Sequence, residues 1–235
     1  MALGAGSLFA FLGLALLVRF ELVRALDRLA ARLANRLDGP SVELVGELLT
    51  ETGRIELTLP LALVTAALLW WRARRLVAAA VLLVFATVLV EVLSKELLFV
   101  PRSEVAEAVR THPRRLPIAI VRIFADPDDA PYPSGHMARA VFLCGLLAWA
   151  VASRSRLRPF RVFVCVGIVL FLAAMGITRI TEGEHPFSDV VGGTLLAMAL
   201  LPVAWWLLER DRHTSHTSRV GRCRPFGSRR ATPDP

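Results

Sequence analysis

Six long uncharged stretches constrain this chain more than any other feature of its sequence. They cover residues 1–18, 57–71, 76–90, 140–153, 162–178 and 190–208, in a chain of 235 residues that is 55% hydrophobic. A helix needs about 20 apolar residues to cross about 30 Å of hydrocarbon, so flanking turns with shielded polar residues must complete several crossings. The sequence therefore predicts an all-α integral membrane protein, a bundle of six spanning helices.

The segment after the first stretch carries leucines and arginines at helical spacing. The leucines are Leu22, Leu26, Leu29, Leu33 and Leu37, and the arginines are Arg24, Arg28, Arg32 and Arg36. This periodicity predicts an interfacial amphipathic helix that ends at Gly39 and Pro40. Its arginine face either binds anionic lipid head groups or is simply solvated at the membrane surface, and we assign no chemistry to it.

These patterns divide the chain into three regions. Residues 1–40 form an N-terminal span and the amphipathic helix, and residues 41–209 form the membrane core. Residues 210–235 are rich in Arg, Ser, Thr, His and Pro, which predicts a disordered basic tail. The first stretch has no Lys or Arg before it and no small-residue cleavage pattern after it, so we interpret it as a retained anchor.

The formal net charge of +8 is explained by loops rather than by a nucleic-acid partner. Six crossings place residues 72–75, residues 154–161 and the basic tail on one side, which the positive-inside rule identifies as cytoplasmic. The connector at 101–132 and the turn at 180–187 then face the extracytoplasmic side of the cell membrane. The arginines of residues 24–36 fall on that side too, against the rule.

The same topology brings the ionisable residues of the spans to the extracytoplasmic end. They are Lys95, His136, Arg139, Arg179, His185 and Asp189. Burying such groups in a membrane is costly, so their convergence predicts a functional site. Lys95, Arg102 and Arg179 supply three cations, which favour an anion with several oxygens, and phosphate fits best.

The start of the fourth span is suited to the same anion. Pro133, Ser134, Gly135 and His136 open this helix, where free backbone amides and the helix dipole favour negative charge. Gly135 allows close approach of the main chain, and Ser134 either caps the helix or donates its hydroxyl to the anion.

Two histidines permit a division of labour in phosphoryl chemistry. His185 and Asp189 are four residues apart, so on a helix the carboxylate can hold one ring nitrogen while the other attacks. His136 comes from a different helix, and one histidine can act as nucleophile while the other protonates the leaving group. Zinc binding by these three residues is the competing interpretation, but the surrounding cations would repel a metal, so we expect no metal or other cofactor.

Two neighbouring residues have more than one interpretation. Arg139 lies one turn beyond His136 and either reaches a phosphate or pairs with Glu91 or Glu184. Glu91 lies four residues before Lys95 and can neutralise it.

Three motifs occur in order along the chain. They are Lys95 and Arg102 separated by six residues; Pro133-Ser134-Gly135-His136; and Thr178-Arg179, five residues, His185, three residues and Asp189. Together they closely resemble the signature of the type 2 phosphatidic acid phosphatase superfamily, over about residues 80–205. The family's usual proline after the first arginine is Ser103 here, and its usual serine before the third-motif arginine is Thr178. Neither departure removes a catalytic group.

The resemblance implies a role for each matching residue. His185 would form a phosphohistidine, His136 would protonate the leaving group and later deprotonate water, and Asp189 would orient His185. The phosphoryl oxygens would be bound by Lys95, Arg102, Ser134, Gly135 and Arg179. The scheme requires no metal.

From these residues and this resemblance we expect hydrolysis of a phosphomonoester or diphosphate of a membrane lipid. Undecaprenyl or another polyprenyl diphosphate is favoured because the site faces outward, with phosphatidic acid and phosphatidylglycerol phosphate next. The alternatives are a lipid phosphotransferase and a non-catalytic protein that binds or transports lipid phosphates. Vanadium haloperoxidases share the signature, but they are soluble, and the spans argue against that class.

Overall fold

The computed structural model of the chain describes residues 2–37, 39, 46, 48, 49, 52–95 and 132–220, the last six as backbone only. Its helices, in chain order, are α1 Ala2–Arg19, α2 Arg24–Ala34, α3 Ile55–Trp71, α4 Arg75–Leu82, α5 Val84–Ser94, α6 Gly135–Arg154, α7 Arg158–Thr181 and α8 Phe187–Val220. No β-strand occurs in these ranges. The expected all-α class is confirmed.

Apolar helices of membrane-spanning length dominate the described residues. Five are long and apolar enough to cross a bilayer, when α4 and α5 are counted as one span of 20 residues interrupted at Leu83. Helix α3 is also apolar but has 17 residues, close to the shortest span that crosses hydrocarbon. The six expected spans are thus all present as helices, and the protein is a multi-pass membrane protein.

The outer surface of the bundle is suited to lipid rather than to water. Helix α7 exposes 75% of Phe163 and 64% of Leu170, and α1 exposes 75% of Phe9. Such apolar surfaces would promote aggregation in water, whereas in hydrocarbon they need no protein partner. The core lies between α3, α4, α6 and α8, around buried residues such as Phe142 and Leu201.

Helix α1 packs along α8 in the opposite direction. Gly4, near the start of α1, approaches Ala199 and Pro202 in the second half of the α8 span. Farther along α1, Phe11 stacks on Tyr132 with ring centroids 5.4 Å apart. The Tyr132 hydroxyl donates a 2.8 Å hydrogen bond to the Phe11 carbonyl. Burial, and next the nearby Asp189 carboxylate, raise the pKa of Tyr132 above its usual value, so this donor keeps its proton.

Two helix ends differ from the sequence expectation. The amphipathic helix α2 ends at Ala34, before Gly39. Helix α8 continues to Val220 instead of ending near Leu208, so the first part of the expected tail is helical. Polar contacts support this extension, because Arg74 pairs with Asp211 at 2.6 Å and Glu209 pairs with Arg212 at 3.2 Å. Residues 221–235 of the tail, and the connector at 101–131, lie outside the described residues.

Glycines allow α6 and α8 to approach closely at the end that carries the sequence motifs. A Cβ atom on Gly193 would lie 2.2 Å from the Ser134 carbonyl oxygen and 3.1 Å from the Ala138 nitrogen. A Cβ atom on Gly192 would lie 2.3 Å from the ring of Tyr132. Because the first of these contacts is with backbone, only glycine fits at position 193.

We predict that Gly193→Ala destabilises the protein. The added methyl would separate α6 from α8, and overpacking of this kind costs about 1–3 kcal/mol. The matched control is Gly167→Ala on α7, where nothing lies within 4 Å of the added methyl. Thermal unfolding in detergent should show a lowered midpoint for the first variant only. An unchanged midpoint for Gly193→Ala would contradict this account of the interface.

Candidate active site

Four helix ends converge at one end of the bundle. Helix α5 leads to Lys95, α6 begins at Gly135, α7 ends at Thr181 and α8 begins at Phe187. His136 lies within electrostatic range of Arg139, Arg179, His185 and Lys95. The described ionisable residues of the three motifs therefore share one site, as the topology predicts.

Two backbone hydrogen bonds connect the motif residues directly. The Ser134 N–H donates to the Asp189 carbonyl at 3.0 Å, which joins the start of α6 to the first turn of α8. The His185 N–H donates to the Arg179 carbonyl at 3.1 Å, across the turn between α7 and α8. Main-chain bonds fix position better than long side chains do, so the relative placement of these residues is set by the fold.

His185 and Asp189 form the pair that their spacing predicts. The His185 Nδ1 and Asp189 Oδ2 atoms are 3.3 Å apart, and the two residues are 3% and 0% exposed. A neutral imidazole that donates from Nδ1 to this carboxylate carries its lone pair on Nε2. The contact thus favours the tautomer in which the Nε2 lone pair is available to accept a proton or to attack an electrophile.

His136 is held by a segment that precedes α3. A Cβ atom on Gly53 would lie 3.0 Å from His136 Cδ2, so the main chain of this segment packs on the imidazole. The Nε2 atom of His136 is buried and has no hydrogen-bond partner among the described residues. Buried polar atoms are normally satisfied, so this nitrogen is a candidate to contact a ligand.

Ser134 and Asp189 carry similar buried atoms. Ser134 is fully buried, and its Oγ has no hydrogen-bond partner within the described ranges; the same holds for Asp189 Oδ1. Leaving such a group unsatisfied costs about 1–3 kcal/mol. Together with His136 Nε2, these atoms favour binding of a polar group at the start of α6.

The cations of the site are paired with carboxylates, which the sequence analysis did not anticipate for Arg179. Lys95 Nζ lies 3.1 Å from Glu91 Oε1, the neutralising contact considered from the sequence. Arg179 is 2% exposed and pairs with Glu182 at 2.5 Å and also with Glu184. A buried guanidinium needs a counter-charge to offset desolvation, and the turn after α7 supplies two. A phosphate would have to compete with these carboxylates or join them.

Arg139 pairs with Glu91, one of the two partners considered from the sequence. Its Nη1 lies 2.9 Å from Glu91 Oε2, and its Nε donates to the Gly53 carbonyl at 3.0 Å. These contacts tie α6 to α5 and to the segment before α3. They favour a positioning role over direct contact with phosphate.

Gly135 lies directly against Glu91. A Cβ atom at this position would lie 2.1 Å from Glu91 Oε1. The glycine therefore admits the carboxylate that bridges Lys95 and Arg139, a reason for glycine that differs from the expected approach of an anion to the main chain.

Some predicted features lie beyond what the structure describes. Arg102 and the departure at Ser103 fall outside the described residues. Within them, no group of three or more His, Cys, Asp or Glu residues could hold a metal ion. Two residues near the site were not predicted from the sequence: Gly53, which carries no motif signal, and Asp27, whose carboxylate contacts Ser188 in the first turn of α8. Asp27 had a weak signal, because it is the only acidic residue between Arg24 and Arg36.

The chain is similar to known proteins in both sequence and structure. The sequence profile of the PAP2 superfamily matches residues 76–213. No curated protein sequence matches the chain significantly. A crystal structure described as the first transmembrane PAP2 type phosphatidylglycerolphosphate phosphatase, from Bacillus subtilis, is similar, with a TM-score of 0.64 and 21% identity. The match covers 89% of this chain and 98% of that chain, which confirms the fold.

We predict that Arg139→Gln lowers stability more than it weakens phosphate binding. The substitution leaves the Glu91 carboxylate buried with less counter-charge, and breaking a buried pair costs about 3–5 kcal/mol. Arg212→Gln is the matched control, since that arginine belongs to an exposed pair with Glu209, worth about 0–1 kcal/mol. Thermal unfolding and inhibition by inorganic phosphate would be measured on both. Full stability of Arg139→Gln with weakened phosphate inhibition would instead place Arg139 on the anion.

Proposed function

The chain belongs to the PAP2 superfamily, and on this premise we propose that it hydrolyses a phosphomonoester or diphosphate of a membrane lipid through a phosphohistidine at His185. One observation carries the proposal. The oriented His185–Asp189 pair is joined by a main-chain hydrogen bond to the helix start that bears Ser134 and His136. A nucleophile and a second histidine are thus held in fixed relation, as two-step phosphoryl transfer requires.

In the first step, His185 Nε2 attacks phosphorus in line with the leaving oxygen. A phosphorus–nitrogen bond forms as the phosphorus–oxygen bond breaks, and the proton from His136 goes to the departing oxygen. In the second step His136 takes a proton from water, whose oxygen attacks phosphorus and displaces His185. The products are inorganic phosphate and the lipid alcohol, or the lipid monophosphate when the substrate is a diphosphate.

Charge on the phosphoryl oxygens is stabilised by groups around the start of α6. Ser134 Oγ, which has no partner among the described residues, and the first N–H groups of α6 supply donors, and Lys95 and Arg179 supply positive charge. The family resemblance adds Arg102, which lies outside the described residues. Loss of one donor in a preorganised site of this kind costs about 2.7–4 kcal/mol of transition-state stabilisation. Phosphate binding would loosen the carboxylate pairs of Lys95 and Arg179, because both interactions use the same cations.

The substrate is a lipid because the site lies at the end of membrane spans, where a bound head group can remain attached to chains in the bilayer. Positive charge in the loops opposite the site favours an extracytoplasmic active site. This location favours a polyprenyl diphosphate, with phosphatidic acid next. Phosphatidylglycerol phosphate ranks beside phosphatidic acid, and the structurally similar phosphatidylglycerolphosphate phosphatase from Bacillus subtilis adds support for it.

We predict phosphate release by the purified full-length chain in detergent containing EDTA, with no metal added. His136→Ala should lower kcat about 10²–10⁴-fold, because general acid catalysis contributes this much. His185→Ala should abolish turnover, since the nucleophile is lost. His213→Ala is the matched control, because that histidine is exposed on the last turns of α8, at the far end of the bundle.

Polyprenyl diphosphate, phosphatidic acid and phosphatidylglycerol phosphate would be compared by kcat/KM. Phosphate release that disappears with EDTA, or that persists in His185→Ala, would contradict the proposed mechanism. A phosphorylated acceptor without free phosphate would identify a phosphotransferase. Tight lipid-phosphate binding without turnover by the unmodified chain would identify a binding or transport protein.

A further inference from the structure

Helix α8 begins without a capping side chain of its own. The residue before Phe187 is Pro186, which has no side-chain oxygen to accept from the first backbone N–H groups. The first turn nevertheless carries Asp189, and it begins two residues after His185. The position of this turn therefore affects the distance between His185 and Asp189. The free backbone N–H groups of the turn need hydrogen-bond acceptors from elsewhere in the fold.

Asp27 on the amphipathic helix α2 supplies one of those acceptors and also binds a side chain of the same turn. Its Oδ1 accepts from the Ser188 N–H at 2.8 Å, and its Oδ2 accepts from the Ser188 hydroxyl at 3.0 Å. Ser188 is 2% exposed, so both bonds are shielded from water at the serine. A carboxylate at this position also interacts favourably with the positive end of the helix dipole.

The same contact fixes the place of α2. Helix α2 packs against α7 and α8, the two helices that carry the third motif. Along the same helix, Leu26, Leu29 and Leu33 are between 46% and 51% exposed. Asp27 thus connects a helix suited to the membrane interface with the first turn of α8.

Asp27 also lies within electrostatic range of Asp189. Residues 188 and 189 are neighbours, and the Asp189 carbonyl accepts the hydrogen bond from Ser134. A shift of the first turn of α8 would therefore change two relations together. It would move Asp189 relative to His185, and it would strain the connection between α8 and the start of α6.

We propose that Asp27 is a positioning residue for catalysis: it caps α8 from the interfacial helix and holds the His185–Asp189 pair in its reactive geometry. This inference rests on the proposed function. Asp27 contacts no reacting atom in the scheme, so it acts through Ser188. Its removal should lower the rate of phosphoryl transfer more than the affinity for substrate, because misplacement by about 1 Å can cost about 10²-fold in rate.

The test compares Asp27→Ala, Asp27→Asn and the control Glu21→Ala in the full-length chain. Asp27→Ala should lower kcat about 10- to 100-fold with KM changed less than about twofold. Asp27→Asn should recover most of the rate, because its amide oxygen can accept from the Ser188 N–H and its NH₂ can donate to the Ser188 hydroxyl. Glu21→Ala removes an acid that pairs with Arg24 on the surface and should leave kcat unchanged.

Amide hydrogen exchange over residues 185–192 provides a readout independent of turnover, and Asp27→Ala should accelerate it. If the unmodified chain turns over its substrate and Asp27→Ala has the same kcat, the inference is overturned. A lowered unfolding midpoint with unchanged kcat per folded molecule, which is the signature of a purely structural contact, would also overturn it. If the unmodified chain and Glu21→Ala both fail to release phosphate from any lipid, the proposed function fails instead.

Discussion

The hydrogen bond from the Ser134 N–H to the Asp189 carbonyl is the contact on which the site depends. It joins two helices that run through the membrane from the same end, and it can be this short because Gly193 lets α8 pack on the backbone of α6. Through it, His136 at the start of α6 keeps a fixed relation to His185 before α8. Among the described residues, the relative placement of the two histidines therefore depends on helix packing.

Charge burial imposes a second constraint on the same region. Each described cation of the site contacts a carboxylate. Glu91 bridges Lys95 and Arg139. Arg179 pairs with Glu182 and Glu184 in the turn that precedes His185. Without such partners, cations at the end of a membrane bundle would carry a large desolvation cost. These pairs offset the cost of burying the cations. A bound phosphate must therefore compete with the carboxylates for Lys95 and Arg179. This competition favours a ligand with high negative charge, such as a lipid monophosphate or diphosphate.

The fold and the convergence of the motifs followed from the sequence because both depend on local pattern. Apolar length predicts spans, span parity places Lys95, His136 and His185 at one end, and the spacing of His185 and Asp189 predicts their contact. The contact between Asp27 and Ser188 was not predictable, because it joins residues 161 positions apart through tertiary packing. The helical extension of α8 was missed for a similar reason, since polar composition indicates disorder unless partners such as Arg74 are known. The roles of individual site residues, and the side of the membrane that the site faces, stay predictions.

The central claim is that His185 carries the phosphoryl group, and direct capture of this intermediate tests it best. The full-length chain would be mixed with a lipid phosphate, quenched in alkali within milliseconds, digested and analysed by mass spectrometry. Phosphohistidine survives alkali, so the account predicts a phosphorylated peptide that contains His185, formed and lost at rates compatible with turnover. Phosphate on another residue, or steady turnover with no phosphorylated peptide in the presence of EDTA, would contradict it.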